Sequence, residues 1–123
     1  MPASARGLAA AAAAILLAAR GANAQDAAKG SDVFQDHCSQ CHVLAGVGQG
    51  PSLIGVVGRR AASLAGYPYS DALKASGLTW TAANLDAFVQ GPTKLVPGTA
   101  MRAIVADPND RRDLIAYLAT LKR

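Results

Sequence analysis

The chemistry of this chain is concentrated in five consecutive residues, Cys38-Ser39-Gln40-Cys41-His42. Two thiols at i and i+3 fall on one face of a helical turn, and an imidazole follows at once. Such a C-x-x-C pair can be a thiol redox couple, a structural disulfide, half of a zinc site or, with the trailing His, an attachment point for c-type haem. A zinc site would have to take His37, Cys38, Cys41 and His42 together, which crowds a tetrahedral ion. A thioredoxin-like pair expects a preceding strand and a βαβ pattern, and the flanking residues show neither. Covalent haem is the favoured reading: Cys38 and Cys41 would form thioethers to two vinyl groups of one porphyrin edge, and His42 would bind the iron. Iron of this kind commonly takes a His on one side and a Met on the other. Beyond residue 24 the chain has a single methionine, Met101, in Pro97-Gly98-Thr99-Ala100-Met101. A lone Met is usually core filler, but this one sits in a Pro-Gly loop rather than on a helical stripe, and it is assigned as the distal ligand. Pro51 follows His42 by nine residues. Its carbonyl could orient the imidazole, or it could be an ordinary loop proline.

These residues need elements to hold them. Residues 26–38 are predicted as a helix, with Val33, Phe34 and Cys38 on one face and Ala27 and Gly30 behind. Residues 43–60 are too rich in glycine for regular structure. Gly46-Val47-Gly48 follows no strand and lacks a third glycine, so it is not a dinucleotide fingerprint. A short helix is expected over Ser70–Ser76, closed by Gly77, and another from a Thr81 cap to Gln90 with Leu85, Phe88 and Val89 inward. Residues 92–106 are expected to be irregular. Asp107-Pro108 opens a last helix, with Asp110 favourable near its positive end, and Leu114, Ile115, Leu118 and Leu121 form its apolar stripe beside Tyr117. This helix is expected to cross the first, Gly30 and Phe34 meeting Leu114 and Tyr117. No segment argues for a sheet and there are no internal repeats, so the fold class is all-α.

A chain of 123 residues, 51% hydrophobic but only 5% aromatic, is one small domain. Domains of this size gain from a staple, and a covalent haem would both staple and fill the core. Residues 1–24 read as a cleavable signal peptide: Arg6, an apolar run over Gly7–Ala19, then Ala22-Asn23-Ala24 as the small-x-small site. The run is short for a membrane span, and an uncleaved anchor is the rival reading. The domain proper is then 25–123. Export fits the cofactor, whose attachment in bacteria occurs outside the cytoplasmic membrane. Cleavage removes Arg6 and Arg20, so Lys and Arg fall from 12 to 10 against eight acids, all Asp, a net charge of +2. No basic run with interleaved aromatics is present, and nucleic-acid binding is not indicated.

Over residues 28–121 the chain resembles the class I cytochromes c, the mitochondrial and bacterial soluble electron-carrier type. The resemblance rests on Gly30-x-x-x-Phe34, Cys38-x-x-Cys41-His42, Gly50-Pro51-x-Leu53, Gly55-x-x-Gly58-Arg59 and Tyr69-Ser70-x-Ala72. It continues in Gly77-Leu78-x-Trp80, Val96-Pro97-Gly98-Thr99-x-Met101 and Asp113-Leu114-Ile115-Ala116-Tyr117-Leu118. It implies the small cytochrome c fold, with N- and C-terminal helices crossing and short helices and loops wrapped around one covalent haem. It also implies thioethers at Cys38 and Cys41, axial ligands His42 and Met101, a Pro51 carbonyl on His42, and Arg59, Tyr69, Trp80 and Thr99 around the propionates. From charge alone Arg59 could equally be solvated surface, and Trp80 could be plain core. The chain departs from the family where Phe88 replaces a common Tyr and Leu73 a common Asn, both of which make the pocket drier. The loop after Met101 is about one residue short and has Ala103 and Ile104 where an aromatic is usual. His37 and Ala100 stand where lysines often ring the haem edge, so charge steering of partners should be weak, with Lys74 and Lys94 retaining part of it.

The function implied is a monomeric periplasmic one-electron carrier, His/Met ligated. It would shuttle between a quinol–cytochrome c oxidoreductase and a terminal oxidase or similar acceptor, with no bond-making catalysis. Two other readings separate from it by experiment. A dedicated haem c relay subunit of a periplasmic dehydrogenase would co-purify with its enzyme, and a ligand-binding or peroxidatic haem protein would bind carbon monoxide.

Overall fold

The computed structural model describes residues 25–46 and 48–122. The expected leader, residues 1–24, lies outside the described residues, as do Val47 and Arg123. Among the described residues five helices follow one another: α1 (Ala27–His37), α2 (Asp71–Ala75), α3 (Ala82–Gln90), α4 (Pro92–Leu95) and α5 (Pro108–Thr120). The only β feature among them is an isolated antiparallel bridge between Arg60 and Thr79.

Each predicted helix starts where a short polar side chain can satisfy the orphan amides of a first turn. Asp26 accepts from Lys29 N at 3.0 Å, Ser70 from Leu73 N at 3.2 Å and Thr81 from Asn84 N at 3.1 Å. Asp107 accepts from Asn109 N at 2.7 Å and Asp110 N at 3.3 Å. One expectation needs correction: the stretch 92–106 is not irregular throughout, since Pro92–Leu95 forms α4. Gly91-Pro92 does close α3, but Pro92 also stands at the first turn of a new helix, where its missing N–H costs nothing and its fixed φ helps.

α1 and α5 cross with their apolar faces together, as the sequence pattern predicts. Val33, Phe34, Leu114, Ile115 and Leu118 are buried there, and the rings of Phe34 and Tyr117 lie 5.5 Å apart. Burying a side chain such as Phe34 or Leu114, each 1% exposed, stabilises the fold by about 1.5–3 kcal/mol. The crossing is close because position 30 is glycine: a Cβ there would stand 1.9 Å from Asp113 O. The same junction is tied by Asp26 N, which donates to Asp113 Oδ1 at 2.9 Å.

α3 packs against both α4 and α5, and backbone bonds tie the loops to its approach. Gly58 N donates to Trp80 O, Trp80 N to Arg59 O and Ala61 N to Leu78 O, each at 2.8 Å. These bonds lash the glycine-rich loop to the strand-like approach of α3. The Met101 loop begins in a turn closed by Thr99 N to Val96 O at 3.0 Å, with Pro97 and Gly98 as its central residues. Gly98 has φ +92, which the third position of a type II turn requires and glycine supplies.

Candidate functional site

α1 ends directly into the Cys-x-x-Cys-His segment. Cys38 N and Ser39 N donate to Phe34 O at 2.8 and 2.9 Å, and His42 N to Cys38 O at 2.9 Å. The segment is thus one further turn continuous with the helix, and α1 delivers the thiols and the imidazole as a unit. Both cysteines are free thiols, Cys38 buried and Cys41 exposed. Burial, and secondarily the neighbouring Cys41, push the Cys38 thiol up to about 11, so in this closed fold it is a neutral thiol at physiological pH and a weak nucleophile.

The imidazole of His42 is held from two directions. Its Nδ1 lies 2.7 Å from Pro51 O, so Nδ1–H donates to that carbonyl and Nε2 is the nitrogen left to bind a metal. A Cβ at Gly50 would stand 2.5 Å from His42 Cε1, so the ring packs on the bare backbone of Gly50. Gly50 N in turn donates to Cys41 O at 2.8 Å. Burial lowers the His42 pKa and outweighs the opposing hydrogen bond to Pro51, which keeps the imidazole neutral.

The nine residues assigned to the haem site from the sequence line one cleft of about 280 Å³. Cys38, Cys41, His42 and Pro51 reach it from the end of α1 and the loop that follows, Arg59, Tyr69 and Trp80 from the stretch leading to α3, and Thr99 and Met101 from the loop after α4. Arg59 is half-buried rather than solvated; its Nη1 and Nη2 donate to Ile54 O at 3.1 Å and Ser52 O at 3.0 Å. Tyr69 Oη accepts from Leu64 N at 3.3 Å. Trp80 and Thr99 are buried, with the Trp80 ring 4.9 Å from that of Phe88. Phe88 and Leu73 line the same cleft and bring no polar atom to it. Among the described residues no Asp lines the cleft, whereas Arg59 and Arg102 do.

These residues fit a covalently bound haem. The donor set is two free thiols, a neutral imidazole with one nitrogen committed to a carbonyl, and a thioether, set in an apolar-walled cleft with cationic side chains and no carboxylate. The zinc alternative gains no support, since among the described residues no three His, Cys, Asp or Glu side chains are grouped to hold a metal ion.

The cytochrome c family model matches residues 27–122. This chain belongs to the class I cytochromes c. The chain is 45% identical over 112 residues to cytochrome c2 of Rhodomicrobium vannielii, covering 88% of this chain and 89% of that protein. It is 44% identical over 97 residues to cytochrome c of Cochliobolus lunatus, covering 76% of this chain and 90% of that one. Among solved structures it is similar to cytochrome cH from Methylobacterium extorquens, with a TM-score of 0.74 and 47% identity over 77% of this chain and 98% of that chain. This cytochrome c is accordingly an electron carrier of all-α fold with one covalent c-type haem.

Other contacts around the cleft escaped the sequence reading. Tyr67 Oη donates to Gln49 O at 2.5 Å and ties the segment before α2 back to the residue next to Gly50. Arg111 is buried on α5 and paired with Asp86 on α3 at 2.8 Å. A signal for Arg111 existed: the stripe of Leu114, Ile115 and Leu118, extended one turn towards the N-terminus, lands on it.

Proposed function

We propose that this cytochrome c is a periplasmic one-electron carrier in which Cys38 and Cys41 would hold the haem through thioethers and His42 and Met101 would bind its iron. The observation that carries the proposal is the convergence of both thiols, the imidazole and the thioether on one apolar cleft. When bound, the haem supplies an Fe(III)/Fe(II) couple. Donation from His42 Nδ1 to Pro51 O fixes the tautomer and raises the basicity of the other nitrogen. Leu73 and Phe88 offer water no hydrogen-bonding partner, and a dry wall favours the less charged, reduced state. Arg59, held by two backbone carbonyls, sets a fixed cation in the cleft. With His42 and Met101 both committed to the iron, the chain would transfer electrons without making bonds.

The proposed partners are a quinol–cytochrome c oxidoreductase as donor and a terminal oxidase or similar acceptor, met transiently by a monomer. The apolar run and small-x-small site of residues 1–24, read as a signal peptide, support the periplasmic location; among the described residues no helix is long and apolar enough to cross a membrane. The test is a potentiometric titration of the purified holoprotein, with carbon monoxide then added to the ferrous form. A single one-electron wave and an unchanged ferrous spectrum are expected. Formation of a carbon monoxide adduct would replace the carrier reading with a ligand-binding one.

A further inference from the structure

Two charged side chains meet behind the Met101 loop, and neither the motif pattern nor the haem ligation uses them. Arg111 on α5 is only 7% exposed, and a guanidinium is rarely buried unless it is paired. Its Nε donates to Asp86 Oδ1 on α3 at 2.8 Å. Its Nη1 donates to two backbone carbonyls, Val105 O at 3.1 Å and Ala106 O at 2.8 Å. Those carbonyls belong to the far end of the segment that leaves α4 at Val96, carries Met101 and enters α5 at Pro108. Val105 N also donates to Val89 O on α3 at 2.8 Å. Between Thr99 and Val105 the chain has no helix or strand. Its course is therefore set at its ends, by the Val96–Thr99 turn on one side and by Arg111 together with the Val105–Val89 bond on the other.

We propose that Asp86 and Arg111 are a positioning pair for Met101. The carboxylate on α3 aims the guanidinium, and the guanidinium grips the returning end of the loop so that the thioether stays at the cleft. The inference rests on Met101 being the distal ligand. Arg111 carries a permanent charge with donors in a fixed fork, so it can bind a carboxylate and two carbonyls at once. Asp86 is 45% exposed at its side chain, which lets that charge be removed without opening the core. Loss of the carboxylate leaves a buried guanidinium without its counter-charge. Arg111 then turns towards water, and the Val105 and Ala106 carbonyls lose their donor. α3 thus contributes twice, through Phe88 at the cleft wall and through Asp86 at the loop anchor.

The test uses the ferric holoprotein with imidazole as the probe, since imidazole can take the distal position only when Met101 leaves it. Asp86→Asn is expected to bind imidazole about tenfold more tightly than the wild type, the equivalent of about 1.4 kcal/mol of lost hold on the loop. The Val105 amide should exchange with deuterium faster, and Asp86→Glu should restore both readouts. Arg111→Lys, which keeps the charge but lacks the fork, should behave as Asp86→Asn does and serves if that variant does not accumulate. Imidazole affinity within twofold of wild type, even with a lower unfolding midpoint, would reduce the pair to a structural ion pair and overturn the proposal. A wild type that binds imidazole as tightly as Met101→Ala would instead show that Met101 is not the ligand, and the proposal falls with that reading.

Discussion

Replacing Gly30 by alanine should invert the usual effect of that change. In an exposed helix interior, Gly→Ala stabilises by about 1 kcal/mol. Here the new Cβ would stand 1.9 Å from Asp113 O, 2.5 Å from Asp113 C and 2.8 Å from Tyr117 Cβ. Two of these atoms are backbone and cannot swing aside. α5 must retreat from α1 by about 1.5 Å to restore ordinary contact, and a gap of even ~0.5–1 Å forfeits a quarter to a half of each dispersion well it opens. The contacts at risk are those of Phe34, Leu114 and Leu118, all buried at the crossing, together with the Asp26 N to Asp113 bond. Overpacking typically costs about 1–3 kcal/mol; the upper end applies here because the two shortest clashes are with backbone, and subtracting the helix-propensity gain of about 1 kcal/mol leaves a net loss of about 2 kcal/mol. For a domain of this size that lowers Tm by about 8–16 °C. The assay is thermal unfolding of the holoprotein followed by far-ultraviolet circular dichroism. A Tm equal to or above wild type would refute the close crossing of α1 and α5.

Two further outcomes follow from the cleft. Cys38→Ala with Cys41→Ala should leave a chain whose mass after denaturation contains no haem; it should also lose most of its helical dichroism, because nothing would then fill a cleft of about 280 Å³ walled by core residues. Acid should weaken the fold through His42. The unfolded imidazole takes a proton near its ordinary value of 6.5, whereas burial holds the folded one neutral. Below pH 6.5 the unfolded state therefore binds more protons, and stability falls as pH drops towards the lower folded pKa. Binding to iron, which also requires the neutral ring, acts with the same sign. Guanidinium midpoints measured downward from pH 7 should decline, and a flat or rising profile would contradict this.

What the sequence made legible was local. Asp26, Ser70, Thr81 and Asp107 are caps whose signals lie within one turn of the amides they satisfy, and α1, α2, α3 and α5 start at them. The thiols and His42 are legible because one porphyrin edge demands their spacing. Pro51 stood out as a rigid residue nine positions after His42 and Met101 as a lone thioether in a Pro-Gly loop, and the structure brings both to the cleft. α4 was missed because Gly91-Pro92 both stops one helix and starts the next, and only the stop was read. Asp86 and Arg111 are 25 residues apart, and Tyr67 and Gln49 are 18 apart; no periodicity encodes such pairings. Arg59 shows the same limit in another form, since its charge gave no hint that Ser52 O and Ile54 O would hold it half-buried.

The most direct test of the account is the near-infrared absorption spectrum of the oxidised holoprotein, recorded for the wild type and for Met101→Ala. The account predicts a weak sulfur-to-iron charge-transfer band in the wild type and its loss in the variant, with the haem still covalently attached and the reduction potential lowered. A haem-bearing wild type without the band, or a variant that keeps it, would contradict the His42/Met101 ligation on which the carrier function rests.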